Sequence, residues 1–209
     1  MTTLIKAIFF DLDGVLTTDS NGSGTVCRNI QKVVPNLSFD DLYRCYRFHH
    51  AHLLLSEAKH STMWEDFCSC VGRELDINLL PEALATISIN EPMLELCAAL
   101  KGKYIIGIIT DNSSERFTAI VERMKLDQIF DVLILSAHVG ARKNEPLIFE
   151  SALKAVNCTA DECIFIDNQE RNLSIPATMG FHTFLHDDTK NNLVPLHQWL
   201  QGYGIYVYS

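Results

Sequence analysis

The sequence predicts an α/β protein, a parallel sheet core interrupted after its first strand by a helical insert. Three observations predict it. Residues 7–10, AIFF, form an apolar run without alternation, as expected of a short strand buried on both faces of a parallel sheet. From residue 91 onward, short apolar runs alternate with segments of helical period, the pattern of right-handed βαβ crossovers. Between about 38 and 80 the period is helical, with no convincing strand.

The first run ends in Asp11 and Asp13, and Gly14 lets the backbone turn sharply behind them. Residues 17–24, TTDSNGSG, read as a loop or hinge. Ser38 with Asp41 resembles a capping box for a helix through Leu42, Tyr46, Leu53 and Leu54. Thr62 with Glu65 starts a second helix, and Pro81 a third. Helices follow at 92–100, stopped by Gly102, and at 114–125, 146–156 and 173–179. Strands are expected at 104–109, 132–135, 163–166 and 181–185. The core is therefore assigned to 1–17 and 91–209, and the helical cap to 18–90. The C-terminal GYGIYVYS is compatible with an edge strand or a dimer contact, and oligomeric state stays open.

With 209 residues, 47% apolar and 21% charged, the chain matches a globular domain, or a core carrying a smaller insert. Its net charge of −9 argues against a nucleic-acid or anionic-membrane surface. An anionic substrate then needs a metal and a local cation to offset that charge. No apolar run reaches the roughly 18 residues of a membrane span, and the N-terminal run is too short for a signal peptide. The seven Cys show no zinc spacing, since Cys68 and Cys70 are one residue too close for Cys-x-x-Cys. Free buried thiols in a reducing cytosol are expected, hence a soluble cytoplasmic protein.

Ligands of open α/β sheets bind at the carboxyl ends of the strands. Asp11 and Asp13 follow the first strand there, although turn acids or a helix cap would leave the same trace. Thr110-Asp111-Asn112-Ser113 follows the strand at 104–109 and offers a hydroxyl and backbone amides to a phosphate oxygen, or plain N-capping. Lys143 precedes a helix N-terminus, where the dipole disfavours a cation unless an anion or the Asp11 carboxylate accompanies it. Asp167 ends the strand at 163–166. Three acids converging on one site repel each other. A divalent cation resolves this, and oxygen ligands suit Mg²⁺.

In order and spacing these motifs resemble the haloacid dehalogenase-like hydrolases: Asp11-Leu12-Asp13-Gly14-Val15, Thr110 after an apolar strand, Lys143 in GARKNEPLIFE, and Asp167 in IFIDN. The resemblance covers the whole chain and implies a Rossmann-like core with a C1-type cap. It implies a Mg²⁺-dependent phosphatase acting on a small phosphorylated metabolite, with Asp11 as nucleophile through an aspartyl-phosphate and Asp13 as acid and base. Mg²⁺ would be held by the Asp11 side chain, the Asp13 main-chain carbonyl and the Asp167 side chain. Thr110, Lys143 and, more weakly, Asp111 and Asn112 would form the phosphate shell. Dehalogenases of the family lack an acid two residues after the nucleophile, so Asp13 favours phosphoryl transfer. Asp111 and Asn168 depart from the family pattern, where Asn or another neutral residue and a second Asp are common. Asn168 would leave the metal to rely on Asn172 and water. A phosphomutase, or a low-turnover binding protein of the same fold, are the alternatives.

In the insert, Arg44, Arg47 and His49 are candidates to face the substrate. The spacing of His49, His50 and His52 favours a solvated or substrate-facing helix face over a zinc site. Trp64, Phe67, Tyr43 and Tyr46 are expected to pack the insert's own core.

Overall fold

The structure, a computed structural model, describes residues 4–207. Five strands, β1 (Ala7–Phe10), β2 (Ile105–Thr110), β3 (Val132–Leu135), β4 (Cys163–Asp167) and β5 (His182–Leu185), form one parallel sheet in the order β3-β2-β1-β4-β5. The uninterrupted apolar run of β1 explains its central place, where every residue is covered on both faces. Register is direct, with Phe10 opposite Ile108 on one side and Ile166 on the other. The carboxyl ends of β1, β2 and β4 therefore lie side by side, carrying Asp11, Thr110 and Asp167.

Ten α-helices occur among the described residues. Four lie between β1 and β2 before residue 90: α1 (Gly22–Val33), α2 (Phe39–His50), α3 (Trp64–Val71) and α4 (Leu80–Ala85). The other six are α5 (Glu91–Leu100), α6 (Ser114–Met124), α7 (Ser136–Val139), α8 (Pro146–Val156), α9 (Glu170–Met179) and α10 (Val194–Gln201). The sheet separates two apolar clusters. One gathers Ile8, Phe10, Met93, Ile106, Ile120 and Leu196. The other gathers Phe9, Ile109, Phe149, Phe165 and Phe181. Each such fully buried large side chain contributes about 1.5–3 kcal/mol of transfer free energy. Gly107 on β2 admits the Phe9 ring, since a Cβ there would lie 2.5 Å from Phe9 Cδ1.

The helices α1–α4 enclose a third cluster of their own, with Val26, Ile30, Leu42, Tyr46, Trp64 and Phe67 at its centre and Tyr43 partly buried against it. Asn29 ties α1 to the end of α4 by donating to the carbonyls of Ala83 (3.1 Å) and Thr86 (2.9 Å).

Several local expectations need correction. Residues 17–24 are not all loop, because α1 starts at Gly22, with Asn21 accepting from Gly24 N at 3.1 Å as its cap. Two glycines in the first turn conceal that helix from propensity reasoning. Neither Ser38 nor Thr62 makes a side-chain cap: the Ser38 side chain leaves α2 uncapped, and α3 starts at Trp64 behind Met63. The C-terminal stretch forms no strand among the described residues. It turns back so that Ile205 is buried in the sheet's core, while 208 and 209 lie outside the described residues. The expectation of free thiols holds for five cysteines and fails for two. Cys45 on α2 and Cys70 on α3 form a disulfide, leaving five free cysteines. Such bonds are rare in reducing compartments. No helix among the described residues is long and apolar enough to cross a membrane.

Candidate active site

β1 delivers Asp11 into a buried position, where its Oδ1 accepts from the Leu12 amide at 2.7 Å. The chain then folds into a tight turn over Leu12–Leu16, with Gly14 at φ +84°. A Cβ at Gly14 would lie 2.2 Å from Asn168 Nδ2, so the glycine is required for conformation and for space.

Lys143 reaches the same point from the loop before α8. Its Nζ lies 2.7 Å from Asp11 Oδ2 and 2.6 Å from Asp167 Oδ2. Burial alone would drive the ammonium to lose its proton, but Asp11 and Asp167 outweigh it and raise the Lys143 pKa. Burial pushes Asp11 well above the usual carboxylate range, against the pull of Lys143, and Asp167 pushes the same way. Two carboxylates thus share one ammonium. Asp167 is further held by Gln169 N at 2.7 Å and by Asn172 Nδ2 at 3.1 Å from each oxygen.

Asp13 points elsewhere. Arg116, in the first turn of α6, donates to both of its oxygens at 2.7 Å, and Asn112 Nδ2 lies 3.4 Å from Oδ2. Gly22 of α1 closes over this pair: a Cβ there would fall 2.6 Å from both Arg116 Nη1 and Asp13 Oδ2. Next to Arg116, Glu115 accepts from the His60 amide (2.6 Å) and pairs with His60 Nδ1 (2.7 Å). His60 Nε2 meets the Tyr46 hydroxyl at 2.9 Å. The start of α6 therefore joins the sheet to the helices inserted between β1 and β2.

A cavity of about 650 Å³ opens above these groups, lined by Asp11, Asp13, Thr110, Asn112 and Lys143 on the sheet side and by Tyr43, Tyr46, Arg47 and His50 on the other. Asp111 also lines it, but its carboxylate is engaged by Arg142 Nε (3.1 Å) and the Lys143 amide (2.9 Å), ordering the lysine loop rather than offering itself to an anion. Of the three insert candidates only Arg47 lines the cavity. Arg44 pairs with Asp41 at 3.1 Å, and neither it nor His49 is among the lining residues. His50 and His60 are buried and His52 is exposed, so the histidines share no single face.

Among the described residues no three His, Cys, Asp or Glu side chains converge as a metal cluster. The donors that do meet are oxygens. Asp11 and Asp167 share a single ammonium between them, and the buried Asn168 Oδ1 has no partner while its Nδ2 donates to Asp188 Oδ2 at 2.8 Å. An all-oxygen set of this kind fits a hard divalent cation such as Mg²⁺.

Sequence reasoning missed Arg116, Glu115 and Gly22. The signal for Arg116 was present. A cation in the first turn of a helix opposes the dipole, the same anomaly that singled out Lys143.

The family model described as haloacid dehalogenase-like hydrolase matches residues 5–177. Rat bifunctional epoxide hydrolase 2 is 37% identical over 120 residues, 55% of this chain but only 22% of that protein's length. The chain thus matches about a fifth of that relative. Glyceraldehyde 3-phosphate phosphatase of Pyrococcus furiosus is 26% identical over 182 residues, covering 79% of this chain and 73% of the relative. A HAD-family enzyme of Bacteroides thetaiotaomicron, solved with magnesium and inorganic phosphate, superposes with a TM-score of 0.71 at 18% identity, over 92% of this chain and 98% of that one. At that identity the likeness is one of fold.

Proposed function

We propose, from the premise that this chain belongs to the haloacid dehalogenase-like hydrolases, that it is a Mg²⁺-dependent phosphatase for a small phosphorylated metabolite. The observation that carries the reading is the buried Asp11–Lys143–Asp167 cluster at the floor of the cavity, a nucleophile beside a fixed cation. Asp11 Oδ2 is the attacking atom, forming an O–P bond as the ester O–P bond breaks. The aspartyl-phosphate is then hydrolysed by water, returning Asp11 and releasing inorganic phosphate. Asp13 gives a proton to the leaving alcohol oxygen and takes one from the attacking water. Thr110 and the Lys143 ammonium hold phosphoryl oxygens where charge develops, with Asn112 beside them. Mg²⁺, held by the Asp11 and Asp167 carboxylates and the Asp13 carbonyl, would offset the repulsion between nucleophile and phosphate.

The helical segment 18–90 is the cap in this reading. It supplies Tyr43, Tyr46, Arg47 and His50 to the cavity wall, and closing over a bound substrate it would exclude bulk water from the reaction. The phosphatase homologue from Pyrococcus furiosus supports the same chemistry, and the Bacteroides enzyme solved with magnesium and inorganic phosphate shares the fold.

The test is phosphate release from p-nitrophenyl phosphate and a panel of phosphometabolites, with Mg²⁺ and with EDTA, for wild type and Asp11→Asn. Release that needs Mg²⁺ and disappears in Asp11→Asn is the expected result. Silence across the panel with Mg²⁺ present would leave the family membership intact and remove the phosphatase reading.

A further inference from the structure

Five cationic side chains line the cavity: Arg47, Arg116, Arg142, Lys143 and Arg171. Three are occupied. Arg116 is paired with Asp13, Arg142 with Asp111, and Lys143 with Asp11 and Asp167. Arg47 and Arg171 make no ion pair among the described residues, although the chain carries 26 acidic residues against 17 Lys and Arg. The two come from opposite parts of the fold, Arg47 from α2 in the insert and Arg171 from α9 behind β4.

Arg47 is also held in place. Its guanidinium lies over the Tyr43 ring, 5.5 Å from the centroid, and Asn21 Nδ2 donates to the Tyr43 hydroxyl at 2.6 Å. Asn21, Tyr43 and Arg47 all line the cavity. Stacking leaves the guanidinium edge free, and that planar fork matches the oxygens of a carboxylate or phosphate. A cavity of about 650 Å³ has room for far more than the transferred phosphoryl group.

We propose that Arg47 and Arg171 form a second anion subsite, so that the substrate is a phosphate monoester bearing another anionic group, a carboxylate or a second phosphate. This substrate class rests on the phosphatase reading above, whereas the subsite is testable without turnover. Arg47 comes from the insert and Arg171 from the core, so an anion bound by both would link the two parts of the fold. Both arginines are exposed residues, so the attraction weakens as salt is added.

The experiment uses three phosphonates that are not hydrolysed and differ only in the tail: propylphosphonate, 3-phosphonopropionate and propane-1,3-bisphosphonate. Binding to the wild-type chain with Mg²⁺ is measured by calorimetry at low and high salt. A charged tail should improve affinity by about tenfold or more over propylphosphonate. That ratio should fall to below about threefold in Arg47→Gln or Arg171→Gln. Whichever charged tail binds tighter identifies the distal group as carboxylate or phosphate. Equal affinity for all three probes, failure to bind either charged one, or a preference that survives both substitutions would overturn the subsite. A wild type that shows the preference yet hydrolyses no ester would sink the phosphatase reading and leave the subsite standing. Hydrolysis without any charged-tail preference would do the reverse.

Discussion

Arg116 grips Asp13 through both guanidinium nitrogens, Nη1 to Oδ2 and Nη2 to Oδ1, each at 2.7 Å. The Arg116 side chain is only 3% exposed, so removing Asp13 leaves a buried, unpaired cation. Breaking such a pair from one side costs about 3–5 kcal/mol. Asp13→Ala is therefore expected to lose about 3 kcal/mol in urea denaturation as well as its phosphate release. The double variant Asp13→Ala/Arg116→Met should recover part of that stability, with a coupling above about 1 kcal/mol. Additive single effects would show that the fork does not matter to folding.

The ammonium of Lys143 is shared by Asp11 and Asp167. Lys143→Met removes the fixed cation from the proposed phosphoryl site and leaves two buried carboxylates facing each other. Phosphate release should fall by about 10²–10³-fold at saturating substrate, as when one oxyanion donor is deleted. Steady-state assays on wild type and variant at equal Mg²⁺ measure it.

Metal binding can be followed without turnover. A ligand that binds only the folded chain stabilises it, by about 2.7 kcal/mol at a hundred times its Kd. MgCl₂ should raise the Tm of the wild-type chain, and Asp167→Asn should abolish most of that rise. A Tm that ignores Mg²⁺ in the wild type would argue that the oxygens at Asp11 and Asp167 hold no cation.

Much of this site was legible before the structure, and the reason is topological. In a parallel sheet each strand delivers its next residue to the same edge, so Asp11, Thr110 and Asp167 could be assigned to one edge from three short apolar runs. Lys143 was legible through an electrostatic anomaly. The Asp13–Arg116 and Glu115–His60 pairs were not, because they join residues 103 and 55 positions apart across elements whose packing angle no local pattern records. α1 was hidden because Gly22 and Gly24 look like loop. Gly22 is required by the Asp13–Arg116 pair it covers, and its helix forms because Val26, Cys27 and Ile30 are buried in the insert's core.

The disulfide between Cys45 and Cys70 closes a stretch with a sequence separation of 25, joining α2 to α3. Constraining an unfolded loop of that size contributes about 3 kcal/mol. Dithiothreitol, or Cys45→Ser/Cys70→Ser, should lower the denaturation midpoint accordingly. The buried thiol of Cys27, pushed up to about 12 by desolvation, should stay unmodified by alkylating reagents until the chain unfolds. Mass spectrometry of alkylated protein, with and without reductant, checks both.

His50 and His60 make the insert sensitive to acid. Burial holds the His50 pKa well below 6.5, and His60, Arg116 and other positive groups act in the same direction. Burial also lowers His60, although Glu115 opposes it. Well above pH 6.5 both rings are neutral in the folded and the unfolded chain, and they impose no pH dependence. As pH falls below 6.5 the unfolded chain takes up protons that the folded one refuses, so stability is lost until the folded pKa is reached. The loss is at most about 1.4 kcal/mol per pH unit for each ring. His50 Nε2 is buried without a partner, and the ring stacks on Tyr46 at 4.8 Å between centroids. His50→Phe keeps that stack and removes both the unpaired nitrogen and the titration. Its Tm should fall less than that of the wild type between pH 7.5 and 5.5, and equal slopes for the two proteins would assign the acid sensitivity to other groups.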